Sequence, residues 1–332
     1  MQFDRISLGR QSKELGFVRD TFEKVCRLAD VLSFMESDAL LSGSLALKGG
    51  TAINLTIFDL PRLSVDIDMD FSKNVSREIM LLEREQVNDH IRKYMTASGY
   101  NLSPKSKQYH ALDSLVFEYV NAGGMKDNLK IEINYMLRCH VFPVSRRVVK
   151  LPWEEKKLTV LSLHPIEIFS AKSVALLNRS AARDLYDMFN MQKYEPFDES
   201  RKDMFKKCIT FYAAITSETV PKHFDFSGIG KISAQKIKTE LIPVLRRDEH
   251  FDLPAAQKEV GDYLREILLP EDNLSFWAEF TRGKYKPDLL FDDAQILSRI
   301  KQHPMAVWKC SWKTSENTIM LPGINVNMFF SE

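Results

Sequence analysis

The chain has 332 residues, 44% of them hydrophobic and 27% charged, which is ordinary for a globular protein of about two domains. Its 46 basic and 45 acidic side chains give a formal net charge of +1, so overall charge does not mark a nucleic-acid binder, and attraction to phosphates would need a local patch. The four cysteines lie far apart without a C-x-x-C pair, which excludes a zinc-ligand pattern and a disulfide framework.

The first predicted elements are a helix, a short strand and a second helix. Apolar residues in steps of three and four predict an amphipathic helix over 14–37. A strand over 44–48 then runs into Gly49-Gly50-Thr51, where we expect a glycine turn, and a helix follows to about Phe58. Pro61 ends that helix, because proline cannot donate a backbone hydrogen bond.

The segment 63–71 is predicted to be a strand with one apolar face and one carboxylate face. Two sets of side chains alternate there with a period of two: Val65, Ile67, Met69 and Phe71 against Ser64, Asp66, Asp68 and Asp70. A helix with mixed charge is expected over 76–98. Strands are expected over 112–120 and 129–135, joined by a connection that contains Gly123-Gly124, and 141–160 is expected to be further strand or loop.

The pattern changes at His164-Pro165, beyond which the chain is predicted to be mostly helical. We therefore expect an α+β protein, with a mixed sheet and flanking helices over 1–160 and a helical domain over 161–332. The buried free thiols that we expect at the cysteines suit a reducing compartment. The polar N-terminus lacks the apolar core of a signal peptide, and no apolar run approaches the roughly 18 residues of a membrane helix. These features predict a cytoplasmic protein that does not contact a membrane.

The carboxylate face of the strand carries the strongest functional signal. Residues two apart in a strand project from the same face, so Asp66 and Asp68 lie side by side. Two carboxylates so placed repel each other, and a divalent cation such as Mg²⁺ or Mn²⁺ between them relieves the repulsion, since Mg²⁺ is commonly held by one or two carboxylates and substrate phosphates. The alternative is a solvated strand edge with alternating aspartates.

Two companions favour the metal site. The turn at Gly49 and Gly50 lets the backbone approach a phosphate closely, and the N-terminus of the following helix supplies free N–H donors, although a cap by Thr51 explains the turn equally well. Glu132 lies between isoleucines, so it projects from the opposite face, where a neighbouring strand would bring it beside the aspartates. It would be a third metal ligand or a base for an acceptor hydroxyl.

The predicted helical domain offers cations for a triphosphate. Lys172 and Arg179 are seven residues apart and therefore share a helix face. Arg183 and Asp187 are spaced i, i+4 on the next helix, and Asp187 would orient Lys172 or Arg183. Lysine binds triphosphate oxygens as a point charge and arginine as a fork. The alternative is that these residues form ordinary salt bridges between helices.

These motifs together resemble the AbiEii/AbiGii-type toxin family of the DNA polymerase β-like nucleotidyltransferase superfamily. The opening signature of the family is similar to KGGTA at 48–52 followed by SVDID at 64–68. Its later block is similar to the spacing E-x-x-x-x-K at 167–172 followed by RDLYD at 183–187, and the region 283–309 is also similar to the family. The resemblance spans most of the chain.

The resemblance implies roles for individual residues. Ser64 would lie beside the bound nucleotide with Gly49, Gly50 and Thr51, and Asp66 and Asp68 would bind the metal. Glu132 matches the third carboxylate position. Lys172 matches a lysine that contacts the nucleotide, with Arg179 and Arg183 nearby, and Asp187 matches a catalytically required acid. The motif also contains Asp184, and the sequence does not rank the two aspartates.

The resemblance also implies a biological role. Members of this family are toxins of bacterial toxin–antitoxin or phage abortive-infection systems, and some resemble tRNA nucleotidyltransferases that add nucleotides to a tRNA 3′ end. The expected substrates are an NTP and a tRNA or other RNA acceptor, and the expected partner is an AbiEi-like antitoxin. A basic groove for tRNA would use eight side chains: Lys202, Lys206, Lys207, Lys231, Lys236, Lys238, Arg246 and Arg247.

Two other functions remain open from the sequence. The same site would serve transfer of a nucleotide to a Ser, Thr or Tyr hydroxyl of a protein, since only the acceptor differs. A degenerate enzyme would act as a non-catalytic nucleotide-binding module.

Overall fold

The computed structural model describes residues 3–154, 157–269 and 274–316, with side chains through residue 311. The residues 317–332 of the predicted helical domain lie outside this description. The chain forms two compact units. Unit 1 contains residues 1–138, 144–163 and 242–250, and unit 2 contains residues 139–143, 164–241 and 251–332.

Unit 1 is built on one mixed sheet. Its strands are β1 (Leu45–Leu47), β2 (Asp66–Phe71), β3 (Asn101–Leu102), β4 (Lys107–Gln108), β5 (Leu112–Val120), β6 (Lys126–Asn134), β7 (Ser145–Val149) and β8 (Leu158–Ser162). The order across the sheet is β3-β5-β6-β2-β1-β8-β7, and β4 also pairs with β5. The pairs β2–β6 and β1–β8 are parallel and the others are antiparallel.

The helices of unit 1 flank this sheet. They are α1 (Arg5–Glu14), α2 (Arg19–Ser37), α3 (Ala39–Ser44), α4 (Gly49–Ala52), which continues as a π-helical turn (Ile53–Ile57), and α5 (Arg77–Ala97). The helix predicted over 14–37 was wrong at its start, because the chain turns at Gly16, whose φ is +78°, and α2 begins only at Arg19. The helix predicted over 76–98 is confirmed, and Ser76 caps it.

Unit 2 is helical in the part that the structure describes. Its helices are α6 (Pro165–Arg179), α7 (Ala182–Tyr194), α8 (Lys202–Thr216), α9 (Ser227–Gly230), α10 (Ala234–Lys236), α11 (Leu253–Leu268), α12 (Leu274–Thr281), α13 (Ala294–Ile300) and α14 (Pro304–Glu316). Short 3₁₀ turns lie at Glu199–Arg201 and Pro287–Leu289, and a π-helical turn lies at Ile237–Leu241. Pro165 follows the cap residue of α6, His164, where the lost N–H costs nothing. The α+β class is thereby confirmed.

Two short segments belong to a different unit from the one that a single domain boundary near residue 160 would give them. The segment 242–250 belongs to unit 1, because Val244 O accepts a hydrogen bond from Leu63 N at 2.8 Å and Arg247 N donates to Gly16 O at 2.7 Å. The segment 139–143 belongs to unit 2, where the buried carboxylate of Glu167 accepts hydrogen bonds from Val141 N at 2.8 Å and Phe142 N at 3.0 Å.

The expectation of buried free thiols agrees with the structure. All four cysteines are free and buried. Within the described ranges, no helix combines the length and the apolar character that crossing a bilayer requires.

Candidate active site

Strand β2 carries three aspartates on one face. Asp66, Asp68 and Asp70 alternate with the buried Ile67 and Met69. Asp66 and Asp68 are half-buried, whereas Asp70 is 2% exposed. The predicted carboxylate face therefore exists, and its first two members remain accessible to a ligand.

The neighbouring strand β6 brings Glu132 to this face. The strands run parallel in a register that pairs Asp66 with Lys130, Asp68 with Glu132, and Asp70 with Asn134. Glu132 thus occupies the strand position beside Asp68, as its flanking isoleucines predicted. Its carboxylate lies 3.2 Å from Lys130 Nζ, and the residue is 6% exposed.

Gly49 touches the carboxylate side chain of Asp68. Its φ is +65°, in the left-handed region that favours glycine. A Cβ at this position would overlap Asp68 Oδ2 and would lie 3.2 Å from Asp68 Cβ. Lys48 N also donates a hydrogen bond to Asp68 O at 2.9 Å. The glycine turn and the carboxylate strand are therefore in direct contact.

The rest of the turn is held by buried side chains. A Cβ on Gly50 would lie 2.8 Å from Arg62 Nη2 and 3.0 Å from Ser64 Oγ. Thr51 is fully buried, and its hydroxyl lies 3.0 Å from Ser64 Oγ and donates to the carbonyl of Asp66. The alternative that Thr51 caps the helix is wrong, since the N-cap residue of α4 is Lys48. Thr51 therefore holds the backbone of Asp66 through this hydrogen bond.

Sequence reasoning missed an ion pair at the far end of the aspartate row. Lys48 Nζ lies 2.6 Å from Asp70 Oδ1, with the lysine side chain 24% exposed and the aspartate side chain 3% exposed. Burial raises the pKa of Asp70, and the charge of Lys48 only partly offsets that rise. The sequence does contain a signal for this pair, because Asp70 continues the alternation of aspartates along β2 and Lys48 directly precedes the two glycines.

The donor set at this face fits a divalent cation held by two carboxylates. Asp66 and Asp68 offer hard oxygen ligands of the kind that Mg²⁺ and Mn²⁺ accept. No three His, Cys, Asp or Glu side chains among the described residues are gathered into a metal-binding group. Glu132 is instead engaged by Lys130. The geometry supports a two-carboxylate site, and the role of Glu132 as a third ligand stays a prediction.

In unit 2, Lys172 and Arg179 converge on the same aspartate of α7. Lys172 Nζ lies 2.8 Å from Asp184 Oδ1 and 3.2 Å from Asp187 Oδ2. Arg179 donates from Nε to Asp184 Oδ2 at 2.8 Å and from Nη2 to Asp184 Oδ1 at 3.1 Å. The shared helix face predicted for the two cations is confirmed. Arg183 is half-buried near the start of α7.

The two aspartates of this cluster have different surroundings. Both side chains are 1% exposed. Burial alone would raise the pKa of Asp184, but the charges of Lys172 and Arg179 outweigh it and hold that pKa well below its usual range. Asp184 therefore fixes two cations, whereas Asp187 contacts Lys172. The predicted catalytic role of Asp187, and the choice between Asp187 and Asp184 as the essential acid, stay predictions.

The basic groove expected for tRNA stays a prediction, and the structure shows the surroundings of three of its side chains. Lys206 is 8% exposed, so it is buried. Lys202 is ion-paired with Glu199, and Lys207 Nζ lies 2.8 Å from Asp203.

Comparison with protein families decides the assignment. A model described as nucleotidyl transferase AbiEii toxin, type IV TA system, matches residues 33–280. The chain belongs to the AbiEii nucleotidyltransferase toxin family. The matched residues of this AbiEii chain include β2, the glycine turn and the Lys172 cluster. The resemblance to this family is confirmed, and the likeness noted over 283–309 lies beyond the matched residues and stays a prediction. The family implies a nucleotide substrate and an antitoxin partner.

A solved structure shows the same fold. The AbiEii chain is similar to MenT4, a nucleotidyltransferase toxin from Mycobacterium tuberculosis, with a TM-score of 0.61 and 12% identity over 92% of this chain and 99% of that one. At that identity the likeness supports the fold alone. A search of curated proteins gave no significant match.

Proposed function

We propose that this AbiEii chain is a metal-dependent nucleotidyltransferase that moves a nucleoside monophosphate from an NTP to an acceptor hydroxyl. The observation that carries the proposal is the contact between the Gly49 turn and Asp68 on a strand whose two accessible aspartates lie side by side. A backbone turn that approaches phosphates and a carboxylate pair that holds a divalent cation are the two parts that a nucleotide triphosphate requires.

In the proposed reaction, Asp66 and Asp68 would hold Mg²⁺ or Mn²⁺, which neutralises triphosphate charge and lowers the pKa of the acceptor hydroxyl. The turn at Gly49 and Gly50 and the hydroxyl of Ser64 would hold the NTP. The acceptor oxygen forms a bond to the α-phosphorus, the bond from that phosphorus to the bridging oxygen breaks, and pyrophosphate leaves. Glu132 is the candidate to accept the hydroxyl proton, since it lies beside Asp68.

We extend the proposal to unit 2 through Lys172, with Arg179 and Arg183 as further cations for the triphosphate. The support is that two carboxylates hold the ammonium group of Lys172 in place: Nζ lies 2.8 Å from Asp184 Oδ1 and 3.2 Å from Asp187 Oδ2. A charge fixed before substrate arrives costs little reorganisation in the reaction. Asp187 would be the essential acid, through its contact with Lys172.

The proposed acceptor is the 3′ end of tRNA, and the proposed partner is an AbiEi-like antitoxin. Both proposals rest on the family and not on a groove in the structure. Binding of tRNA that weakens with rising salt would support neutralisation of phosphates by a surface still to be located.

One assay tests the function. The purified chain is incubated with each α-labelled NTP, Mg²⁺ and total RNA or total protein, and the labelled products are identified by mass spectrometry. Label at a tRNA 3′ end in the wild type, lost in Asp66→Asn, supports the proposal. Label on a Ser, Thr or Tyr side chain would instead establish protein nucleotidylation. Binding of NTP with no transfer to RNA or protein would establish a non-catalytic module.

A further inference from the structure

The ion pair between Lys48 and Asp70 lies beside the proposed nucleotide site but has no part in the function proposed above. Asp70 is the third member of the aspartate row on β2, two residues beyond Asp68. Lys48 directly precedes the glycine turn, and its backbone N–H donates to Asp68 O at 2.9 Å. The pair therefore borders both the turn and the carboxylates.

The two partners differ in exposure. The Asp70 side chain is 3% exposed and the Lys48 side chain is 24% exposed, with 2.6 Å between Nζ and Oδ1. An ammonium group has three N–H donors, and Asp70 is its ion-pair partner among the described residues. A buried carboxylate thus holds a partly exposed cation that retains donors for an anion.

We propose that Lys48 is a substrate-binding residue that contacts the β- or γ-phosphate of the NTP, with Asp70 as its positioning residue. This inference rests on the proposed function and extends it. The turn at Gly49 and Gly50 brings backbone to the polyphosphate, and Lys48 adds the positive charge that the neutral turn lacks. Asp70 limits the freedom of the long lysine side chain, so less conformational entropy is lost when the phosphate binds.

The alternative is that the pair only stabilises the fold. The two explanations differ in their dependence on the number of phosphates. A contact to the β- or γ-phosphate strengthens binding of an NTP or of inorganic tripolyphosphate and leaves binding of an NMP unchanged. A structural pair affects all three ligands alike.

The test is calorimetry with Mg²⁺ and either an NTP, its NMP or tripolyphosphate, on the wild type and Lys48→Met. We expect affinity for the NTP and for tripolyphosphate to fall roughly tenfold to a hundredfold, as for the loss of a charged hydrogen bond, with NMP affinity unchanged. The matched control is Lys73→Met. Lys73 Nζ lies 2.6 Å from Glu83 Oε2, and its side chain is 32% exposed, but it is outside the turn. This control should leave all three affinities unchanged.

Lys48→Met leaves a carboxylate buried without its partner, which threatens folding. The double variant Lys48→Met/Asp70→Asn removes both charges, so it should fold and show the same selective loss. Equal affinities in that variant and the wild type, or the same loss for NTP and NMP, would overturn the inference. The labelled transfer assay on the wild type separates this from the proposed function: transfer by the wild type with no selective loss in the variants would defeat only the role of Lys48.

Discussion

Gly49 lies directly against the carboxylate of Asp68, and a side chain at position 49 would overlap Asp68 Oδ2. This contact joins the two motifs that the sequence presents separately, the glycine turn and the aspartate strand. Any atom added at position 49 must displace the carboxylate that is proposed to bind the metal. The proposed site therefore requires a residue without a side chain at this position of the turn.

The first prediction concerns that contact. Gly49→Ala should lower the rate of nucleotidyl transfer by about a hundredfold, because a displacement of about 1 Å in catalytic groups can reduce the reaction rate by that factor. Gly99→Ala is the matched control, since Gly99 also has a positive φ, +83°, but a Cβ there meets nothing within 4 Å. Both variants should lose about 1 kcal/mol of stability from backbone strain. Transfer rates and thermal unfolding measure the two effects, and equal rates in the two variants would contradict the prediction.

The second prediction concerns the aspartates themselves. Asp66→Asn and Asp68→Asn should each abolish Mg²⁺-dependent transfer, because each removes one of the two negative charges that are proposed to hold the cation. Glu118→Gln on β5 serves as a strand control outside the site. Titration of NTP in the presence and absence of Mg²⁺ should show a metal effect in the wild type and none in the two aspartate variants. Transfer above a tenth of the wild-type rate in both variants would remove the carboxylate pair from the mechanism.

The third prediction concerns the hydroxyl of Thr51. Thr51→Val keeps the shape of a fully buried side chain but removes the hydrogen bond to the carbonyl of Asp66. Loss of one such hydrogen bond costs about 0.5–1.5 kcal/mol of stability. We expect lower kcat with little change in KM, since the variant alters the support of Asp66 and not a contact to the nucleotide. Thr51→Ser keeps the hydroxyl and should retain most of the activity; a large rise in KM for Thr51→Val would instead place Thr51 in contact with the nucleotide.

The fourth prediction concerns pH and the buried Asp184. The pKa of Asp184 is lowered in the folded protein, so its contribution to stability is fully present above the pKa of an unfolded aspartate, about 3.9, and is lost as pH falls towards the folded pKa. Asp184→Asn should reduce the free energy of unfolding at pH 7 by about 3–5 kcal/mol, the cost of breaking a buried pair, and by less at pH 3.

Urea unfolding at the two pH values measures this difference. Asp203→Asn is the control, because Asp203 is 66% exposed in its pair with Lys207 and should change stability by less than about 1 kcal/mol. A loss in Asp184→Asn that is the same at both pH values would show that the charge of Asp184 is not what stabilises unit 2.

The fifth prediction separates a functional lysine from a structural one. Lys172→Met should raise KM for the NTP and lower kcat, if the fixed ammonium binds the triphosphate. Lys309 is also buried, 7% exposed, and its Nζ donates to Ala214 O at 3.2 Å near the end of α8. Lys309→Met should therefore lower thermal stability and leave both kinetic constants unchanged. Equal kinetic effects in the two variants would mean that Lys172 acts only through the fold.

Local patterns in the sequence predicted most of the elements around the site and the faces on which its side chains lie. Alternation with a period of two placed Asp66 and Asp68 on one face, and the isoleucines beside Glu132 placed it on the corresponding face of its own strand, because side-chain direction in a strand depends only on local geometry. The helix periodicity likewise placed Lys172 and Arg179 on one face. These local rules also marked the change from sheet to helix near residue 160.

The packing of the folded chain sets which of these faces meet. The parallel register of β2 and β6 sets Glu132 beside Asp68, and the chain returns at residues 242–250 to join unit 1. The same packing pairs Lys48 with Asp70 and gives Asp184 two cations. Such pairings depend on how separate elements pack against each other and on buried charges that need partners. The periodicity within one element carries no information about either.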